Sequence, residues 1–282
     1  MKSHKLFLAV LFLAFAPLLI AQGTYTQVAY PGATDTEPVG ITKSGDICGF
    51  YIDSSGNYNG FLFSNGTYTP FSYPGAQWTI PAGMNDLGQI VGSTFNPTLG
   101  FVYDPSTQSF TEIAYPGAAS TYPTSINDQG MIGGAFNNSG GAGTGFEYDG
   151  STYTEINPPG AILSSVIRVT ESGEIIGSYY TNVQGSQDYF TFNQGAYKQI
   201  SVPGIYNFMV LGTNPSGTAL VGQHQISARL TVGFLYQNGI LTKLQYPGSH
   251  RTAAVSMNSA GAVIGNFTSA DGQFIYGFTS TP

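Results

Sequence analysis

Five carboxylates fall where loops are expected: Asp35 and Glu37 in one stretch, and Asp53, Asp188 and Asp271 in three others. Two acids facing one cavity could act on a glycosidic bond, one as acid and the other as base or nucleophile. The competing reading is turn formation and solvation, because a short Asp side chain bonds readily to its own backbone. Asp86 and Asp128, each preceded by Asn, belong to this second kind. His224 and His250 have no metal-ligand spacing, so no zinc site is expected. The stretch Asp53 to Asn59, DSSGNYN, is rich in oxygen but lacks the acidic ladder and terminal Glu of a strong calcium loop. No cofactor is expected. Cys48 is the only cysteine, so no intramolecular disulfide exists, and it reads as a small buried hydrophobe.

A second set of candidates is defined by position. Six Pro-Gly pairs begin at Pro31, Pro74, Pro116, Pro159, Pro203 and Pro247, and the residues just after them do not resemble one another. They include Asp35, Gln77, Trp78, Tyr206, Asn207, His250 and Arg251, with Tyr122 and Phe208 close by. Trp78 is the only tryptophan in the chain. Aromatic faces beside hydrogen-bonding groups suit sugars and other polymers, since a ring covers apolar patches while polar groups fix orientation. Packing between structural units is the alternative role for these rings. Arg168 is a candidate of another sort. It stands where the other repeats have Gly40, Gly83, Ser125, Gly212 and Ser256, and it either points into a wet channel or pairs with a buried carboxylate.

The elements that position these residues follow from the spacing of the pairs, which is 43, 42, 43, 44 and 44. A unit of 40 to 45 residues marks propeller blades. Thirteen residues after the glycine of each pair comes another, at Gly45, Gly88, Gly130, Gly173, Gly217 and Gly261. It closes segments such as MNDLG (Met84 to Gly88) and INDQG (Ile126 to Gly130), whose Asn-to-Gly chemistry is that of a short hairpin. An apolar segment such as QIVG (Gln89 to Gly92) follows, then a loop of variable length, a Gly-Phe strand such as GFVY (Gly100 to Tyr103), and a strand such as YTEI (Tyr153 to Ile156). Each unit therefore holds four short strands, A to D, and six units predict an all-β, six-bladed propeller of four-stranded blades. In YPGA itself, Pro and Gly have the composition of a type II turn and carry the chain from strand D to the next strand A.

The ends of the chain bear on closure. Phe278 aligns with Phe61, and GTYT at Gly23 to Thr26 aligns with GTYT at Gly66 to Thr69, so the N-terminal strand is expected to pair with the C-terminal blade.

Composition agrees. Gly and Pro make up 54 of 282 residues and charged residues 8%. Beyond the N-terminal apolar run, no stretch longer than twelve residues lacks both Gly and Pro, which leaves little room for helices. Met1 to Ala21 combines a basic start with the apolar run Leu6 to Ile20 and reads as a secretory signal, with residues 22–282 forming one propeller domain. At fifteen residues that run is short for a spanning helix, and no other follows, so no membrane span is expected. Removing Lys2 and Lys5 takes the net charge from −7 to −9, which argues against nucleic acid. A secreted monomer is expected.

The combined pattern of IN..G.I.G, a variable loop, GF.Y, YT.I and PGA resembles the HAF-type extracellular repeat proteins of environmental bacteria. The resemblance covers nearly all of the chain after residue 21. The His-Ala-Phe triplet of the family name is replaced here by Asn59-Gly60-Phe61, Leu99-Gly100-Phe101 or Thr144-Gly145-Phe146. What it implies is an exported repeat protein with no assigned activity.

The functional expectation is a non-catalytic secreted protein that binds a carbohydrate, peptide or protein through the face carrying the Pro-Gly links. Two alternatives stay open: a hydrolase or lyase acting on a polysaccharide through the loop carboxylates, and a structural matrix component.

Overall fold

The computed structural model describes residues 24–141, 143–182 and 185–281. The segment read as a signal, Met1 to Ala21, lies outside them. Among the described residues there are 24 strands and no helix, and the strands form six four-stranded antiparallel sheets. Blade 1 is β2 (Asp35–Ile41), β3 (Ile47–Ile52), β4 (Tyr58–Ser64) and β5 (Thr67–Phe71). Blade 2 is β6 (Trp78–Met84), β7 (Ile90–Phe95), β8 (Gly100–Asp104) and β9 (Ser109–Ile113). Blade 3 is β10 (Ser120–Ile126), β11 (Ile132–Asn137), β12 (Gly143–Tyr148) and β13 (Tyr153–Ile156). Blade 4 is β14 (Leu163–Val169), β15 (Ile175–Tyr180), β16 (Asp188–Asn193) and β17 (Ala196–Ile200). Blade 5 is β18 (Phe208–Thr213), β19 (Ala219–Ser227), β20 (Leu230–Gln237) and β21 (Ile240–Leu244). Blade 6 is β22 (Thr252–Met257), β23 (Val263–Thr268), β24 (Ile275–Thr281) and, as its outer strand, β1 (Thr24–Val28).

β1 runs antiparallel to β24 from Thr24 opposite Thr281 to Val28 opposite Gly277. Blade 6 in turn meets blade 1, where Asn258 Nδ2 donates to Thr42 O at 2.9 Å. The architecture is the six-bladed propeller that the repeat predicts.

Two turn types recur because the sequence repeats their chemistry. In the Pro-Gly links the glycine takes positive φ, as at Gly32 (79°), and Ala33 N donates to Tyr30 O at 3.2 Å, a type II turn. In the Asn links, Gly88 N donates to Asn85 O and Asn85 N to Gln89 O, both at 3.1 Å. Gly88 has φ 84°, giving the three-residue hairpin that ends in a left-handed glycine.

Every inner strand carries a β-bulge at the same point. The register slips between Pro38 and Gly40, Pro81 and Gly83, Pro123 and Ser125, Val166 and Arg168, Val210 and Gly212, and Ala254 and Ser256. The six skipped residues, Val39, Ala82, Thr124, Ile167, Leu211 and Val255, line a narrow central channel with an internal volume of about 30 Å³. A bulge re-aims side chains, and six of them turn one residue per blade onto the axis.

Acidic side chains join the blades on the Asn-turn face. Lys43 N donates to Asp86 Oδ1 (2.6 Å), Asp86 N to Asp128 Oδ1 (2.8 Å), and Asp128 N to Glu171 Oε2 (3.2 Å). Glu171 N then donates to Pro215 O at 2.9 Å. Each bond spans 42 to 44 residues of sequence, one repeat. Asp86 and Asp128 are thus ties between blades, using charge-assisted bonds to backbone amides.

Candidate functional site

The D-to-A links and the B-to-C loops come out on one face of the ring, which carries the variable residues. Of nine large hydrophobic side chains left exposed among the described residues, seven lie on this face: Phe95, Ile162, Leu163, Tyr206, Met209, Ile226 and Phe274. The other two, Leu87 and Ile240, sit at turns of the opposite face.

Most Pro-Gly links are built alike. The Tyr before Pro stacks on an aromatic of the next blade's second strand: Tyr30 on Tyr51 (3.7 Å between ring centroids), Tyr115 on Phe136 (3.7 Å) and Tyr246 on Phe267 (3.5 Å). Its backbone N–H donates to a Thr six residues on, from Tyr30 to Thr36 Oγ1 (2.9 Å), Tyr73 to Thr79 (2.8 Å), Tyr115 to Thr121 (2.9 Å) and Tyr246 to Thr252 (3.0 Å). These bonds tie each arch to the first strand of the blade that follows.

Two links depart from this plan at both points: that from blade 3 to blade 4 has Pro158 and Ser164, whose hydroxyl donates to Ile156 O (3.0 Å), and that from blade 4 to blade 5 has Val202 in place of the Tyr and the bulky Phe208 in place of the Thr. Blade 4 departs at two more. In the Gly-Phe strands the Gly lets the following blade close in: a Cβ at Gly100 would lie 2.8 Å from Pro123 Cδ, and one at Gly277 would lie 2.6 Å from Pro38 Cδ. Blade 4 has Tyr189 there, buried, with its ring stacked 5.5 Å from Phe208 and its hydroxyl donating to Phe208 O at 3.4 Å. Burial pushes the Tyr189 phenol up to about 12.

Arg168 is the fourth departure. The small residues at its position let inner strands approach, since a Cβ at Gly83 would lie 2.6 Å from Thr124 O and one at Gly212 would collide with Val255 O. Arg168 lines the channel, and its Nε is buried without a hydrogen-bond partner. Burial works against its charge, while Glu171, Asp86 and Asp128 favour it from the tied face.

The result is one seam unlike the other five. Elsewhere the second and third strands of a blade press against the inner strand of the next; β15 and β16 are held off β18. On the Pro-Gly face this seam opens into a cleft of about 640 Å³ lined by Tyr180, Ser186, Gln187, Asp188, Tyr189, Gln199, Ile200, Ser201, Val202 and Ile205 to Met209. A second recess of about 240 Å³, bounded by Asn207, Met209, Gln223, Gln225, Thr231 and Arg251, adjoins it across the Asn207 and Met209 ridge.

Tyr206, Asn207 and Phe208 therefore meet in the large cleft, and Arg251 borders the neighbouring recess with Asn207. The other candidates lie elsewhere on the ring. Trp78 packs between Phe95 (4.6 Å) and Tyr58 (4.8 Å), and its buried Nε1 has no partner. Gln77 is exposed beside it and donates its backbone N–H to Phe95 O. Tyr122 is half-buried on β10, and His250 is exposed in the link to blade 6. Asp35 Oδ1 accepts from Ile275 N at 2.7 Å, joining blade 1 to blade 6.

The loop carboxylates separate by role. Glu37 Oε2 accepts from Asn266 Nδ2 at 3.1 Å across the blade 6 to blade 1 seam, and burial, with the Asp35 charge second, raises its pKa. Asp53 accepts from the backbone of Ser55 (2.8 Å) and Asn57 (3.0 Å) and from Asn57 Nδ2, so the stretch weighed for calcium turns its carboxylate onto its own loop. Asp271 does the same with Ser269 Oγ (2.6 Å) and Gln273 N (3.1 Å). Asp188 is the carboxylate of the cleft.

Sequence reasoning missed Tyr189, although the interruption of the Gly-Phe pattern is visible in DYFTF (Asp188 to Phe192). It singled out Phe208 but missed Val202 and the departure that the two make together.

The fold and cleft define a six-bladed β-propeller with a recess on one face. No known family model matches the chain, and no curated protein does. Solved structures do share the architecture. A gluconolactonase from Xanthomonas campestris is 13% identical, with TM-score 0.58 over 94% of this chain and 92% of that one. TolB from Acinetobacter baumannii is 14% identical with TM-score 0.54; the match covers 80% of this chain but only 60% of TolB. A virginiamycin B lyase from Staphylococcus aureus, crystallised with quinupristin, is 11% identical with TM-score 0.51, covering 92% and 99%. At such identities the likeness is one of fold.

Proposed function

We propose that this protein is a binding module, not a catalyst, and that it holds its partner on the Pro-Gly face at the seam between blades 4 and 5. The observation that carries this reading is that four departures from the repeat, Arg168, Tyr189, Val202 and Phe208, fall at one seam, where a cleft of about 640 Å³ opens. Variable residues set on a rigid scaffold are where recognition usually resides. The cleft volume is within the roughly 300–1,000 Å³ of small-ligand sites. The segment Met1 to Ala21, as an export signal, would place the module outside the cytoplasm, where carbohydrate or extracellular protein is the available partner. Catalysis on a polysaccharide would call for paired carboxylates, and the cleft lining contributes Asp188.

The test is to probe the purified protein against glycan and protein arrays, then map any ligand by hydrogen exchange. Protection is expected at residues 186–189 and 199–209. Protection confined to the opposite face, at residues 86–88 and 104–106, would refute the assignment.

A further inference from the structure

Resting on that reading of the face, we infer that the cleft between blades 4 and 5 takes an uncharged oligosaccharide, with a sugar ring laid on Tyr206. The lining has no Lys, Arg or His and one carboxylate, Asp188, in a chain of net charge −7. Phosphate, sulfate and uronate groups would meet repulsion and no counter-charge within this cleft, the adjoining recess contributing Arg251 as the one cation of its lining. What the lining does offer is amides and hydroxyls: Gln187, Gln199, Asn207, Ser186 and Ser201. Both ends of a side-chain amide suit a sugar hydroxyl, which donates and accepts at once.

Tyr206 supplies the apolar half of the match. It is 84% exposed, which for a large ring at the rim of a cleft leaves a flat face uncovered. The ring stands on a fixed base, because its carbonyl oxygen lies 2.8 Å from His224 Nδ1, a hydrogen bond. Asn207 follows with φ 52°, a left-handed conformation that Asn tolerates better than most residues. Among the described residues no hydrogen bond engages its side-chain amide, and it borders both the large cleft and the adjoining recess. A platform with an adjacent free amide, at the junction of two recesses, fits a chain of sugars that continues from one recess into the next.

The experiment is calorimetric titration of the purified protein with cellohexaose, xylohexaose, laminarihexaose, mannohexaose and chitohexaose. Oligogalacturonate, a sulfated oligosaccharide and a basic peptide serve as comparison ligands. At least one neutral hexasaccharide is expected to bind with an affinity that barely changes with salt. Tyr206→Ala and Asn207→Ala should each weaken that binding about tenfold or more, Tyr206→Phe only a few-fold, and Trp78→Ala not at all. Because Tyr206 is a surface residue, its variants should fold, and circular dichroism checks that they do. If none of the neutral sugars binds, or if Tyr206→Ala leaves their binding intact, the inference is overturned. Preferred binding of the acidic sugars or the peptide overturns it too; should that binding still respond to Tyr206→Ala, the face assignment survives and only the ligand class falls. Neutral-sugar binding that both variants leave intact, with exchange protection on the opposite face, defeats both.

Discussion

Tyr189 fills a place that glycine holds in the neighbouring blades, and its ring stacks against Phe208 of the next blade at 5.5 Å while its hydroxyl bonds the Phe208 carbonyl. The pair works as a wedge. Both residues exceed the size of what the repeat puts at their positions, so the seam is filled by side chains where the others are closed by backbone.

A wedge of this kind makes a prediction about Tyr189→Gly, which restores the repeat residue. If the seam could simply close, stability would change little. Phe208 and Arg168 still hold the blades apart, so a cavity should remain, with a loss of about 3–5 kcal/mol typical of truncating a buried aromatic. Urea unfolding of the variant measures it; a loss under about 1 kcal/mol would mean that the seam collapses.

Gly212 and Arg168 occupy the same repeat position and should respond in opposite ways. Gly212→Ala drives a methyl into the Val255 carbonyl and should cost about 1–3 kcal/mol through overpacking. Arg168→Met removes a buried charge whose Nε lacks a partner, and the unfolding midpoint should stay level or rise. A fall in that midpoint comparable to that of Gly212→Ala would show that Arg168 holds the ring together.

Removal of residues 22–28 tests the outer strand of blade 6. It takes away buried Val28 and the Tyr25 hydroxyl that accepts from Gln245 N, and it uncovers Phe278. Losing the burial of Val28 alone is worth about 1.5–3 kcal/mol, and in a domain of this size that lowers the melting temperature by at least about 3 °C. Calorimetry of the shortened chain giving an unchanged transition would remove β1 from the fold.

Glu37 sets a pH dependence. Its folded-state pKa is raised, first by burial and then by Asp35, so the native state binds its proton more tightly than the unfolded chain does. Stability from this group is present at low pH and is lost as pH rises from the ordinary carboxylate range through the raised value. Glu37→Gln keeps an acceptor for Asn266 Nδ2 and should flatten that decline, leaving the variant more stable than the parent at neutral pH. Melting curves across the acidic range would reveal it, and parallel curves for parent and variant would contradict it.

The repeat, the two turn types, the four strands per blade and the outer role of the N-terminal strand could all be read from the sequence, because each rests on local chemistry repeated six times. Pro31 and Gly32 announce their turn without help from elsewhere. Contacts between blades were not legible in the same way. Asp86 looks like any Asp in an Asn-Asp turn, and only the fold shows its carboxylate holding the amide of Lys43, one repeat away. The bulges hide for a related reason, since Val39 differs from its neighbours only in how β3 pairs with them. At the site, the letters after Pro-Gly pointed to Tyr206 and Asn207, yet the same rule selected Trp78, whose ring is taken up by Tyr58 and Phe95. What separates the two cases is whether the arch beneath is pinned, and that depends on Thr79 in one link and Phe208 in the other.

The bond from Glu171 N to Pro215 O gives the odd seam a direction. On that face a backbone bond fastens blade 4 to blade 5, and the cleft opens on the other. Two plates joined along one edge and parted along the opposite edge form a clothes peg. A small rocking of blade 5 about the Glu171 and Pro215 pivot would change the jaw between Gln199 and Tyr206 while leaving the rest of the ring in place, so contacts on the far side of the ring would govern the width of the cleft.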